Sequence, residues 1–157
     1  MESAKRLHRG ISRPHRGLEA GQSLIELSLL MVFLVPLLIG AVEFGRLAYK
    51  SIEVANAAKA AVQYGAQNHA TAGDTAGMLN VAKDDAYNLT GLALTATISC
   101  VCSNGSASTC VNTDCSTSQI EPILTVNTQG TFDPLFHVPG LPTSYTVHGR
   151  AIQKVLQ

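Results

Sequence analysis

Residues 21–26 read Gly21-Gln22-Ser23-Leu24-Ile25-Glu26, and they join an Arg-rich leader to an apolar run that extends to Val42. An acidic side chain at the centre of a membrane helix costs about 2.5–3.5 kcal/mol, and less near the interface, where it can reach headgroups. Glu26 stands one turn inside its own apolar run, so its charge is tolerable there but not free. A cut between Gly21 and Gln22 would supply a counter-ion. The new α-amine, with an ordinary pKa of about 7.7–8.0, would be largely protonated at neutral pH. It would lie four residues before Glu26, about one helical turn at ~1.5 Å per residue, and could pair with Glu26 of the same or a neighbouring subunit.

Uncut, the Gly21-Gln22 peptide is neutral and Lys5, Arg6, Arg9, Arg13 and Arg16 remain attached. Five of the eleven Lys and Arg residues thus precede Gln22. That asymmetry places the leader in the cytoplasm and the C-terminal part outside, in the periplasm or at the cell surface of a bacterium. Residues 24–42 number 19, enough at ~1.5 Å each to cross a hydrocarbon core of about 30 Å.

Two plainer readings compete. A secretory signal needs a small-residue cleavage site soon after its apolar region. The nearest A-x-A pattern, Ala55-Asn56-Ala57, follows Glu43, Arg46, Lys50 and Glu53, and would release a soluble product starting near Ala58. An ordinary single-pass anchor accounts for the run but not for Glu26 or for a cut at Gly21.

Beyond Val42 the helix is expected to continue to about residue 66, with Phe44, Leu47, Ala48, Ile52, Ala55, Ala58 and Val62 as its apolar stripe. Glu43 with Arg46, and Lys50 with Glu53, form i,i+3 pairs on a solvated face. Pro36 cannot donate to the Val32 carbonyl, which predicts a kink or loosened turn, and Gly40 adds a second interruption. The Ala-rich residues 55–66 suit close helix packing, within the domain and between subunits.

A turn-rich patch over 71–77 is expected to precede a second helix over 75–89, with Ala76, Leu79, Ala82, Ala86 and Leu89 on one side. Asp84 and Asp85 read as solvated charges. Strands are predicted at 92–102, 121–130 and 143–155. One long membrane-spanning helix, a second helix and a small antiparallel β-sheet carrying disulfides make an α+β, pilin-like arrangement.

Cys100, Cys102, Cys110 and Cys115 fall within sixteen residues, which reads as a local disulfide framework in an oxidising compartment. Zinc sites favour C-x2-C pairs, which are not found here. Cys100 and Cys102 point to the same side of a strand, so they are poorly placed to bridge each other. Nested and crossed pairings both remain. A chain reversal at Asn104-Gly105 favours the nested set, Cys102 with Cys110 and Cys100 with Cys115.

Catalysis has little to stand on. The sequence has no G-x-S-x-G, H-E-x-x-H, Walker or dinucleotide-binding motif, and its histidines are scattered at 8, 15, 69, 137 and 148. No enzyme, cofactor or metal site is expected. With residues 1–21 removed, six basic residues face nine acidic ones, so no basic surface remains for nucleic acid.

A basic leader ending in Gly, an acidic residue at the fifth position after it, and an apolar helix resemble the prepilin pattern of type IV pilins and pseudopilins. Residues 22–26, Val42-Glu43-Phe44-Gly45-Arg46 and the Ala-rich residues 55–66 are similar to TadE-like minor pseudopilins of tight-adherence (Tad, type IVc) pilus systems. Phe132-Asp133-Pro134-Leu135 and Pro139-Gly140-Leu141-Pro142 resemble the end of that family more weakly.

The resemblance implies a leader over 1–21, a transmembrane segment over 22–45 and an extracytoplasmic domain over 46–157. It implies a prepilin peptidase cutting after Gly21, with Gly21 and Gln22 as substrate positions and N-methylation of Gln22 as an associated modification. Glu26 would set subunit register and docking. The implied partners are the peptidase, a major pilin and other minor pilins, the inner-membrane assembly platform and the bilayer, with no nucleic acid. The implied location is the bacterial inner membrane, N-terminus cytoplasmic and C-terminal domain periplasmic, with passage into a surface pilus. The alternative is an unprocessed, membrane-tethered periplasmic scaffold or binding domain.

Overall fold

A computed structural model describes residues 19–111, 113–137 and 139–156. The basic residues of the leader lie outside these. The described chain contains α1 (Glu19–Gly65), α2 (His69–Gly73), α3 (Thr75–Asp85), β1 (Ala93–Cys102), β2 (Ala107–Ser108), β3 (Ile120–Phe132) and β4 (Tyr145–Lys154). It divides into two units at the Ala41–Val42 bond.

The first unit is the N-terminal part of α1. The expected long helix is present, at 47 residues, and it continues past Pro36. Leu24, Ile25, Leu27, Leu29, Leu30, Val32, Phe33, Leu37 and Leu38 are all exposed. Burying one large apolar side chain is worth about 1.5–3 kcal/mol, so this surface demands a non-aqueous neighbour. By length and composition the helix can cross a membrane.

In the second unit, residues 42–65 of α1 meet a four-stranded antiparallel sheet of order β2-β1-β3-β4. β3 is central. Its pairs run from Ala93↔Gln129 to Cys102↔Ile120 on one side and from Ile123↔Lys154 to Phe132↔Tyr145 on the other. Alternation sets its faces: Pro122, Leu124, Val126, Thr128, Gly130 and Phe132 are buried while their neighbours are not. The core joins Val54, Ala57, Ala61 and Val62 of α1 to Met78, Ala82, Leu124 and Val126.

The seam on α1 differs from the sequence-based stripe. Ala58 and Val62 are buried as expected, but Phe44 is 72% and Ile52 59% exposed, and the contact runs through Val54, Ala57, Ala58, Ala61, Val62 and Ala66. The reason is distance. A Cβ added at Gly149 would lie 2.5 Å from the Val54 carbonyl oxygen, and one at Gly130 would lie 2.9 Å from Val54 Cγ2. The sheet therefore comes so near that only the small-residue face of α1 fits, and the bulkier apolar face is left outside.

The 71–77 turn region is helical at its start. Asn68 caps α2, accepting from the Thr71 amide at 2.9 Å while its own amide donates to the Thr71 hydroxyl at 3.1 Å, a reciprocal box that satisfies two otherwise orphaned donors. Asp74 caps α3 in turn, accepting from the Gly77 amide at 2.9 Å. α3 ends at Asp85, short of the expected residue 89. Its buried face uses Met78 and Ala82, while Ala76 is exposed. Asp84 and Asp85 are exposed, as expected. The three predicted strands are present, and β2 is an addition too short to show alternation.

Candidate functional site

Gly21 and Gln22 lie in the first turn of α1, both exposed, and nothing stands within 4 Å of where a Gly21 Cβ would be. Glu26 is exposed among Leu24, Ile25 and Leu27, themselves exposed. At i,i+4 it shares a helix face with Gln22, about 5–6 Å away between Cβ atoms. An amine freed at Gln22 would have this carboxylate within one turn.

A second cluster surrounds Glu43, whose carboxylate is mostly buried. One oxygen accepts from Arg46 Nη1 at 3.0 Å, so the expected i,i+3 pair is present, but the Glu43 carboxylate, like that of Glu53, is largely buried and not on a solvated face. The other Glu43 oxygen accepts from the Leu135 amide at 2.8 Å. Arg46 Cζ stands 5.4 Å from the Phe132 ring centroid, within cation–π range. The 42–46 and 132–135 segments, read separately in the sequence, are therefore parts of one contact. Only the separation hid it, since Glu43 and Leu135 are 92 positions apart.

Further along α1, Lys50 and Glu53 approach to 3.5 Å, and Lys50 Nζ donates to the Asn88 carbonyl at 3.1 Å. A shallow groove beside them is lined by Val42, Gly45, Arg46, Tyr49 and Lys50.

The cysteines form two disulfides, but not in the nested set. Cys100 joins Cys110, and Cys102 joins Cys115. The reversal at Asn104-Gly105 is present, with Gly105 at φ +88°. Its consequence is the opposite of the one expected. Antiparallel pairing sets Val101 opposite Ala107 and Cys100 opposite Ser108, so the returning chain moves away from Cys102 before it reaches residue 110. Cys110, at φ +69°, turns back onto Cys100, and the next turn brings Cys115 to Cys102. Asp114 holds that turn, accepting from the Thr109 amide at 2.6 Å, the Thr109 hydroxyl at 2.7 Å and the Ser108 hydroxyl at 3.2 Å. The Thr109 hydroxyl, followed by its amide, keeps the Asp114 carboxyl below its ordinary pKa.

At the junction of α1, α2 and α3, the Tyr64 hydroxyl donates to Asp74 at 2.9 Å. The Gly77 amide first, then this hydroxyl, lower the Asp74 pKa. The same bond to Asp74 raises that of Tyr64. Gly77 permits this approach, because a Cβ there would run into Asp74 and lie 2.6 Å from the Tyr64 hydroxyl. His69, His137 and His148 are exposed. Among the described residues no group of three or more His, Cys, Asp or Glu could hold a metal ion.

A long apolar N-terminal helix whose distal part carries a four-stranded antiparallel sheet with two disulfides defines a pilin-like α+β protein. Residues 21–63 match the family model described as TadE-like protein, so this stretch is similar to that family. The match begins at Gly21 and spans nearly all of α1. No curated protein and no solved structure gives a significant match.

Proposed function

We propose that the chain is a minor pseudopilin of a Tad-type pilus, cut after Gly21 by a prepilin peptidase and serving in pilus assembly rather than catalysis. The observation that carries this reading is the exposed apolar surface of residues 24–42 with Glu26 one turn after Gln22, inside the segment that is TadE-like. Before assembly the bilayer covers that surface, with the leader cytoplasmic and the sheet-bearing domain periplasmic. On assembly, neighbouring subunits replace the lipid, and Glu26 meets the Gln22 amine of the same or an adjacent copy. A soluble part with its own core exceeds what a bare helical fibre needs, which favours a minor position.

The test is incorporation. Filaments sheared from the cell surface are expected to contain the chain beginning at Gln22, and Glu26→Gln is expected to leave processing intact while depleting the sheared fraction. Retention of both forms in the membrane, with none in sheared filaments, would favour a tethered periplasmic domain.

A further inference from the structure

Glu43 follows directly on the apolar run that ends at Val42, and it accepts the Leu135 amide at 2.8 Å. The start of the connection between β3 and β4, at Leu135, is therefore held at the level along α1 where that run ends. Dimensions agree. Thr128 bonds to Val54 and Phe132 lies against Arg46. Four strand residues cover about 13 Å at ~3.3 Å each, and eight helical residues about 12 Å at ~1.5 Å. β3 thus follows α1 toward its N-terminal end and delivers the connection to Glu43. At the other end, the Leu156 amide donates to the Ala66 carbonyl at 2.8 Å and the Val155 amide to Pro122 at 2.9 Å, so the disulfide-bearing edge lies at the far end of the sheet.

The connection is unusually apolar for a loop in water. After Asp133 it contains no Lys, Arg, Asp or Glu. Leu135, Phe136 and Leu141 are 62%, 53% and 59% exposed, and Phe44, next to Glu43, is exposed as well. Exposed connecting segments are ordinarily polar, and several large exposed apolar side chains in one of them point to an interaction site. A protein partner's rim would bring charged or polar groups, whereas apolar side chains flanked by Asp133 and held by the Leu135 contact close to the end of the apolar run suit the headgroup–acyl boundary, where apolar groups bury while polar ones stay in water.

We propose that Leu135, Phe136 and Leu141 insert into the lipid–water interface at the end of the apolar run, a second membrane contact held in place by Glu43. This rests on residues 24–42 being the membrane span.

The chain has no tryptophan, so single tryptophans report position without background. The full chain, carrying Phe136→Trp or Leu141→Trp, is reconstituted into phosphatidylcholine–phosphatidylglycerol vesicles with lipids brominated, in parallel samples, on the shallow part of the acyl chain, to reach 136 and 141, and on the deep part, to reach 33. Phe33→Trp serves as the reporter of the span and Val111→Trp as that of the disulfide edge. Blue-shifted emission and bromine quenching are expected at 33, 136 and 141, with neither at 111. Quenching at 33 but not at 136 and 141 overturns the second contact and leaves the span. Blue-shifted, unquenched emission at 136 and 141 also overturns it, since the segment is then covered by protein. No quenching at 33 removes the span and this inference with it.

Discussion

The Thr128 hydroxyl donates to the Val54 carbonyl across 2.8 Å, fixing the central strand to the middle of α1 at a point where both residues are fully buried. Thr128→Val keeps the shape and deletes the bond, which is expected to cost about 1 kcal/mol. Gly149→Val is a harsher change, because its Cβ would collide with that same carbonyl and with the Thr128 hydroxyl. A loss of about 1–3 kcal/mol or more is expected from overpacking. Chemical unfolding of the detergent-solubilised chain, followed on the domain, gives both values. An equal effect for the two variants would show that the approach of β4 to α1 is looser than described.

Glu43 should control the β3–β4 connection through the Leu135 amide. Glu43→Ala is expected to raise hydrogen exchange at Leu135 strongly, while Glu43→Gln, which retains an acceptor oxygen, preserves most of the protection. The stability cost of Glu43→Ala should be about 1.5–3 kcal/mol, the range for hydrogen bonds to a charged group, and toward the lower end because Arg46 is partly solvated. Unchanged exchange in the alanine variant would separate the connection from the helix.

The crossed disulfides make a pairwise test possible. Cys100→Ser with Cys110→Ser removes one bond and leaves Cys102–Cys115 intact, with no reactive thiol and a loss of about 2–4 kcal/mol. Cys100→Ser with Cys115→Ser leaves Cys102 and Cys110 without their proper partners and is expected to expose thiols or destabilise the domain further. Thiol labelling under denaturing, non-reducing conditions distinguishes the two. A fully oxidised, equally stable second variant would instead support the nested pairing.

The pH dependence follows from three groups. The carboxyls of Asp74 and Asp114 have lowered pKa values in the folded chain. Their contribution is therefore present above the unfolded value of about 3.9 and is lost as pH falls through the lower folded values. Tyr64 is raised, so its contribution is present below about 10 and is lost as pH rises through the folded value. Stability should be flat between these limits as far as these groups decide it. Asp74→Asn should flatten the acid limb and Tyr64→Phe the alkaline one, read from melting temperatures across pH.

The extent of α1 was legible because an apolar run and an alanine-rich stretch join without a breaker strong enough to end the helix. Its orientation was not. Phe44 and Ile52 make as good a stripe as Val54, Ala57 and Ala61, and only Gly130 and Gly149, far off in sequence, decide that the small face turns to the sheet. β1, β3 and β4 showed through alternation, whereas β2 is two residues long and has no period to read. Asn68 and Thr71 carried the signal for α2, hidden in a patch whose Gly and Asp suggested only turns. The cysteine pairing turned on the register Cys100↔Ser108, a tertiary fact. Gly21, Gln22 and Glu26 are singled out by charge and spacing and their roles belong to the proposed function, while the Glu43–Leu135 contact required the fold.

The most direct test of the account is the intact mass and N-terminal sequence of the membrane-extracted chain from cells with and without the prepilin peptidase. A product beginning at Gln22, formed only when the peptidase is present, is the expected result. A full-length chain in both strains, or a soluble product starting near Ala58, would contradict it.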